Sequence, residues 1–161
     1  MCPELTTIRN SFAREGRLEW IGLRPGHRKP IQAVKQVDVV AGQGLIGDRA
    51  GARPGSKRQV TLIQAEHLPV IAAFIDLPEV QPELLRRNLV ISGISLCALA
   101  NTRFYVGRVL LAGTGYCHPC ARMEEALGVG GYNAIRGHGG IAAQLLMSGE
   151  IRVGDMVRPA Q

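Results

Sequence analysis

The sequence predicts a mainly β domain with a few short helices, an α+β chain closed or half-closed into a barrel. Three observations carry that prediction. Eight short apolar segments are separated by turn residues, 20 Gly and 9 Pro punctuate 161 residues, and few stretches show helical periodicity. At this length one domain is expected, with an apolar core that needs no staples.

From the start of the chain, residues 1–17 are polar and weakly patterned, with Thr6 to Arg17 a short helix or a frayed arm. The β texture begins at Trp20–Leu23 and continues through Ile31–Val40, Val60–Ile63, Leu89–Ile91, Arg103–Val106, Arg108–Ala112, Ile141–Met147 and Met156–Val157. Ala65–Ile75 places Leu68, Ile71, Ala72 and Ile75 on one helical face, with Pro69 marking a first turn or a kink. Pro82–Asn88 reads as a short helix with Pro at its first position. Pro119–Leu127 repeats that logic, and Gly128 is placed to stop it. The last unit, Ile141–Met147 and Glu150–Val157 around Ser148-Gly149, reads as a β-hairpin whose turn uses Gly149 at positive φ.

Composition narrows the function classes. With 46% hydrophobic and 20% charged residues the chain is neither disordered nor fibrous. Four cysteines are too few for a disulfide scaffold and no basic-then-apolar leader opens the chain, so a reducing cytoplasm is the expected location. Every apolar stretch is broken well short of the ~20 residues of a membrane helix, so no membrane partner is expected. The net charge of +6 comes from 16 Arg and only 3 Lys. Guanidinium grips phosphate or carboxylate bidentately, whereas ammonium is a point charge. Nucleic acid is disfavoured as a partner, because aromatics are scarce, the basic residues are scattered and no groove-reading motif is present.

The sharpest chemical feature is Cys117-His118-Pro119-Cys120, a CxxC between a strand and a helix. At a helix start the free N–H groups favour an anion, which suits a thiolate at Cys120, and Arg122 adds a cation. A buried inert pair, a zinc site and a dithiol redox motif compete with this reading. Zinc needs four ligands where one CxxC gives two, with only His118 and the distant His138 to complete it. The dithiol motif belongs early in a βαβ unit, not late in a β-rich chain. A lone reactive Cys120 fits best.

Three further clusters stand out: the glycine-framed Gly42 to Arg49 followed by Lys57-Arg58, the Arg86-Arg87-Asn88 run before a strand, and Gly137-His138-Gly139-Gly140. The first could let a phosphate approach the backbone beside Arg49 and Arg58, although it is neither a P-loop nor a dinucleotide fingerprint. A turn with a solvated basic face is the commoner explanation of the first, a cationic helix end explains the second, and a hairpin start or bulge explains the third.

In order, Gly44-Leu-Ile-Gly-Asp-Arg49, Arg58-Gln-Val-Thr-Leu-Ile63, Arg86-Arg-Asn-Leu89, Cys117-His-Pro-Cys120 and Gly137-His-Gly-Gly-Ile141 with Gly149 to Asp155 resemble the MOSC family, the molybdenum cofactor sulfurase C-terminal domain. The likeness runs from Leu18 to Arg158, a single domain over 18–161. It implies a MOSC-type β-barrel that binds the molybdenum cofactor, a molybdopterin, or handles sulfur. In the reductases of the family the second cysteine ligates molybdenum, which falls on Cys120, with Cys117 beside it. The resemblance puts Arg86 and Asn88 in the cofactor-binding region and matches Asp48 and Arg49; Arg58 and His138 complete the expected set.

The implied activity is reduction of N-oxygenated small molecules. An external electron donor is required, since no flavin or iron–sulfur motif is present. The alternative is a persulfide carrier loaded by a cysteine desulfurase, with Cys117 as resolving thiol. The chain has no partner domain like a desulfurase, and no motif around Lys29, Lys35 or Lys57 supports PLP.

Overall fold

Seven strands close a barrel in the computed structural model, which describes residues 2–161. The strands are β1 Gly16–Leu23, β2 Gln32–Val34, β3 Gln36–Val40, β4 Gly44–Leu45, β5 Val60–Gln64, β6 Leu89–Ser92, β7 Arg103–Val106, β8 Val109–Tyr116, β9 Ile141–Leu145, β10 Gly149–Arg152 and β11 Met156–Pro159. Around the barrel the order is β11-β7-β8-β9-β5-β6-β1, and β1 returns to β11 through Gly16 opposite Val157. β2 extends the sheet beyond β1, and β10-β3-β4 form a small second sheet.

The helices are α1 Leu5–Arg9, α2 His67–Phe74, α3 Pro82–Leu85, α4 Leu96–Leu99, α5 Ala121–Leu127 and α6 Gly131–Ile135. None of the described helices is long and apolar enough to cross a membrane. β5 and β6 run parallel, with Leu62 opposite Leu89, so the chain must cross over between them, and α2 and α3 occupy that crossover. Both strands are therefore buried on both faces. Leu62, Leu89 and Ile91 point into the barrel core with Leu18, Ile21 and Phe104, while Ile63 and Val90 point out into a second cluster with Ile71, Leu85, Met123 and Ile135. Burial of each such Leu or Ile contributes roughly 1.5–3 kcal/mol. That second cluster fixes α5, and with it Cys120, against the barrel wall.

The expected C-terminal hairpin does not form. Ile141–Leu145 already has β8 on one edge and β5 on the other, so no edge is left for the next segment. β10 pairs with β3 instead, β11 pairs with β7 and β1, and Gly149 lies in extended strand without positive φ. The expected strand over Ile31–Val40 is likewise two strands, because the chain leaves β1 and joins β10 at a bend on Lys35. The segment Thr6 to Arg17 divides into the end of α1, a loop and the first residues of β1.

Candidate functional site

β8 ends at Tyr116, and the CxxC segment turns away from it across the barrel rim. The Cys117 N–H donates to Gly140 O at 2.9 Å, and its side chain is buried at 4% exposure. Gly139 packs so closely that a Cβ there would lie 2.2 Å from Cys117 O, which requires glycine on the wall behind this loop. Cys120 is the N-cap residue of α5, exposed and extended, and its side chain caps nothing. The two sulfurs are thus one inside and one outside. Arg58 Nη2 lies 3.9 Å from Cys117 Sγ.

α3 ends where Arg86 adopts left-handed φ 54°, which sends the Arg86 and Arg87 guanidinium groups in different directions. Arg86 donates to Lys29 O at 2.7 Å. Arg87 turns inward, 7% exposed, and donates to Gly139 O at 2.9 Å and Leu85 O at 3.0 Å. Burial pushes the Arg87 pKa down, while Cys117 and Cys120 beside it push it back up and Arg58 down. No carboxylate pairs with Arg87 among the described residues.

Asp48 and Asn88, expected in the cofactor set, lie beneath the surface of this region rather than on it. The Asp48 carboxylate takes a two-pronged contact from Arg24, 3.1 Å from Nε and 2.9 Å from Nη2, and caps Ala50 N–H at 3.0 Å. Burial pushes the Asp48 pKa up, but the Arg24 hydrogen bonds and charge outweigh it and hold the carboxyl below its usual value. Asn88 is fully buried and links β1, β5 and the Asp48 turn. It accepts from Thr61 N–H at 3.0 Å and donates to Gly22 O and Asp48 Oδ1, both at 3.0 Å. Its polar atoms are used up in bracing the arginine-bearing loops.

Those loops build a cationic cleft. Arg24, Arg49, Arg53 and Arg58 line a space of about 470 Å³ with Ala50, Ala52 and Ser56. Alongside, His27 sits 3.1 Å from Arg122 Nη2 and 3.4 Å from Arg49 Nη1. Arg122 lowers the pKa of the exposed His27 most, helped by slight desolvation and by Arg49, Arg28 and Arg86. Burial, then Arg24, Arg122 and Arg49, lowers that of Arg86. Against Arg24, Arg49, Arg53, Arg58, Arg86, Arg87 and Arg122, Asp48 is the only carboxylate that pairs with any of them among the described residues. Crowded guanidinium groups that share a single paired carboxylate have the chemistry to hold an anion.

His138 is placed elsewhere. Its ring packs against His67 and Phe74 of α2, and its Nδ1 is buried without a hydrogen-bond partner. The sequence singled out Arg49, Arg58, Arg86 and Arg122, and the structure gathers them. It did not single out Arg24, His27 or Arg53, which come from loops without a motif; Arg87 was visible only as the middle of its run.

No group of three or more His, Cys, Asp or Glu side chains could hold a metal ion among the described residues. A metal at this site must therefore arrive carrying most of its own ligands, and the one exposed soft donor beside the cleft is Cys120. That donor set fits a thiophilic metal on an anionic organic cofactor.

The model of the MOSC domain matches residues 47–158 of this sequence. The chain belongs to the MOSC domain family. Its barrel is similar to that of the YuaD protein of Bacillus subtilis, at 20% identity and a TM-score of 0.76, covering 92% of this chain and 98% of that one. YiiM of Escherichia coli gives 16% identity and a TM-score of 0.68 over 90% and 70% of the two chains. YiiM of Geobacillus stearothermophilus gives 13% and 0.70 over 91% and 75%. These likenesses concern the MOSC fold. No curated protein matches the sequence.

Proposed function

We propose that this MOSC protein binds the molybdenum cofactor and reduces N-oxygenated small molecules in the cytoplasm, with electrons from an external donor. The observation that carries the reading is the cluster of arginines with a single carboxylate beside an exposed thiol. Cys120 Sγ would hold the metal, a soft donor for a soft centre. Arg49, Arg53 and Arg58 would hold the phosphate of the pterin, with Arg86 and Arg122 at its rim. When bound, the cofactor supplies two-electron chemistry at a metal with an exchangeable coordination position.

The chain's own residues then have separate tasks. Arg24 is held by Asp48, which fixes one wall of the cleft. Arg87 braces Gly139, on which Cys117 packs, and so positions the loop that carries Cys120. Its arginine neighbours lower the His27 pKa and so favour the neutral imidazole, a bias that an anion bound among them would relieve.

The test is turnover of an N-hydroxylated compound with a reduced viologen as donor, using protein produced in cells that make the cofactor. Wild-type protein should turn over and Cys120→Ser should not. Equal turnover in Cys120→Ser overturns the reading. Extra sulfur mass on Cys120 after incubation with a cysteine desulfurase, in protein without turnover, would favour the sulfur-carrier function instead.

A further inference from the structure

We propose that a second, uncharged cavity on the other side of Cys117 binds a neutral, ring-sized organic molecule and is the subsite for the substrate's body. As a substrate subsite it rests on the cofactor reading above; as a binding site it does not.

The cavity measures about 330 Å³ and is walled by Gln64, His67, Leu96, Cys97, the Tyr116–Pro119 segment with His118, and the glycine-rich turn that leads into β9. A dry apolar cavity of about 150 Å³ is enough for benzene, so this volume takes one ring with substituents. It lies at the small end of natural ligand pockets.

Its electrostatics are opposite to those of the cleft. None of its twelve lining residues is Asp, Glu, Lys or Arg. Burial, and then the neighbouring His138, lower the His67 pKa against the opposing pull of Glu66, which favours the neutral imidazole. Neither an anion nor a cation meets a carboxylate, ammonium or guanidinium group in this lining.

Polar handles remain available, with the His118 imidazole and the Tyr116 hydroxyl at the exposed side and His67 further in. The Gln64 amide is already engaged, since its Oε1 accepts from Leu96 N–H at 2.9 Å and its Nε2 donates to Glu66. His67 makes no side-chain hydrogen bond among the described residues, and His138 holds its ring edge-on at 4.8 Å between centroids. A fixed, unpartnered imidazole on an apolar wall is the arrangement that orients a ligand bearing one donor or acceptor.

The wall is also preformed. A Cβ on Gly140 would lie 1.9 Å from Leu62 O, and one on Gly139 would lie 2.2 Å from Cys117 O, so the turn is packed against the barrel and cannot drift. Cys117 belongs to this wall and at the same time faces Arg58. The neutral cavity and the cationic cleft therefore meet at the cysteine segment, which would set a small neutral body beside an anion held by the arginines.

Benzamide, a neutral ring with one donor and one acceptor group, is the probe. It is titrated by two-dimensional NMR into protein free of cofactor, and inorganic phosphate is titrated separately. Benzamide should shift His67, Leu96 and the Gly137–Ile141 turn, with affinity falling at least tenfold in Cys97→Trp, which fills the mouth, and in His67→Phe, which keeps the shape and removes the inner handle. Phosphate should shift the arginine loops in all these variants. No benzamide shift in the cavity at millimolar concentration, or unchanged binding in both folded variants, overturns the proposal. Benzamide binding with no phosphate binding would leave this subsite standing and remove the anion cleft; the reverse result would do the opposite.

Discussion

Replacing Asn88 by Ala separates an internal brace from a cofactor ligand. The side chain accepts from Thr61 N–H and donates to Gly22 O, each at 3.0 Å, in a position with no exposure. Alanine leaves that donor and that acceptor buried and unpaired, at about 1–3 kcal/mol each, so the expected loss is centred near ~4 kcal/mol. Asp48 adds little to this sum, because its carboxylate keeps Arg24 and the Ala50 N–H. For a chain of this length 1 kcal/mol corresponds to roughly 2–4 °C, so Tm should fall by about 8–16 °C. The assay is thermal and urea unfolding of cofactor-free protein. If the variant unfolds within about 0.5 kcal/mol of wild type, the range of an ordinary surface change, the bracing role is wrong and Asn88 is free to contact a ligand.

Arg122→Ala should raise the His27 pKa toward its ordinary value, because Arg122 is the largest cause of its depression; an NMR pH titration of the imidazole that shows no movement contradicts the cation cluster. The Asp48 carboxyl is held below its unfolded value, so its contribution to stability is present above about pH 4 and disappears as pH falls through the lower folded value. The stability gap between wild type and Asp48→Asn, followed by urea unfolding, should accordingly be constant near neutrality and close on acidification. Gly140→Ala combines φ 83° with a Cβ 1.9 Å from Leu62 O, and soluble folded protein should be lost or strongly reduced. Gly42→Ala, at φ 73° with nothing within 4 Å, should cost only the backbone strain, about 1–2 kcal/mol by chemical unfolding.

The barrel was legible because its strands alternate or run apolar over the lengths strands use, as in Val60–Ile63 and Leu89–Ile91. Pairing was not. Nothing local to Ile141–Leu145 records that β5 and β8 already occupy both its edges, so the adjacent segment looked like its hairpin partner. The short α4 and α6 were invisible for a related reason: four or five residues are too few to show periodicity, and packing on the barrel, not propensity, makes them helical.

In the site, Cys120 at the start of α5 was readable from Pro119 and the apolar spacing after it. The division of labour within Arg86-Arg87-Asn88 was not, because it depends on one left-handed residue, Arg86, that turns Arg87 inward and leaves Asn88 enclosed between strands. Asp48 was read as a ligand from its Gly-Asp-Arg context. Only the fold brings Arg24 to it, from 24 residues earlier in the chain.

The most direct test is the molar ratio of molybdenum and pterin to protein after gentle purification from cofactor-sufficient cells. The account predicts a ratio approaching one for both in wild type, loss of molybdenum in Cys120→Ser, and loss of both when Arg49 and Arg58 are replaced together by Ala. Wild-type protein without molybdenum or pterin, or full loading in all three proteins, would contradict it.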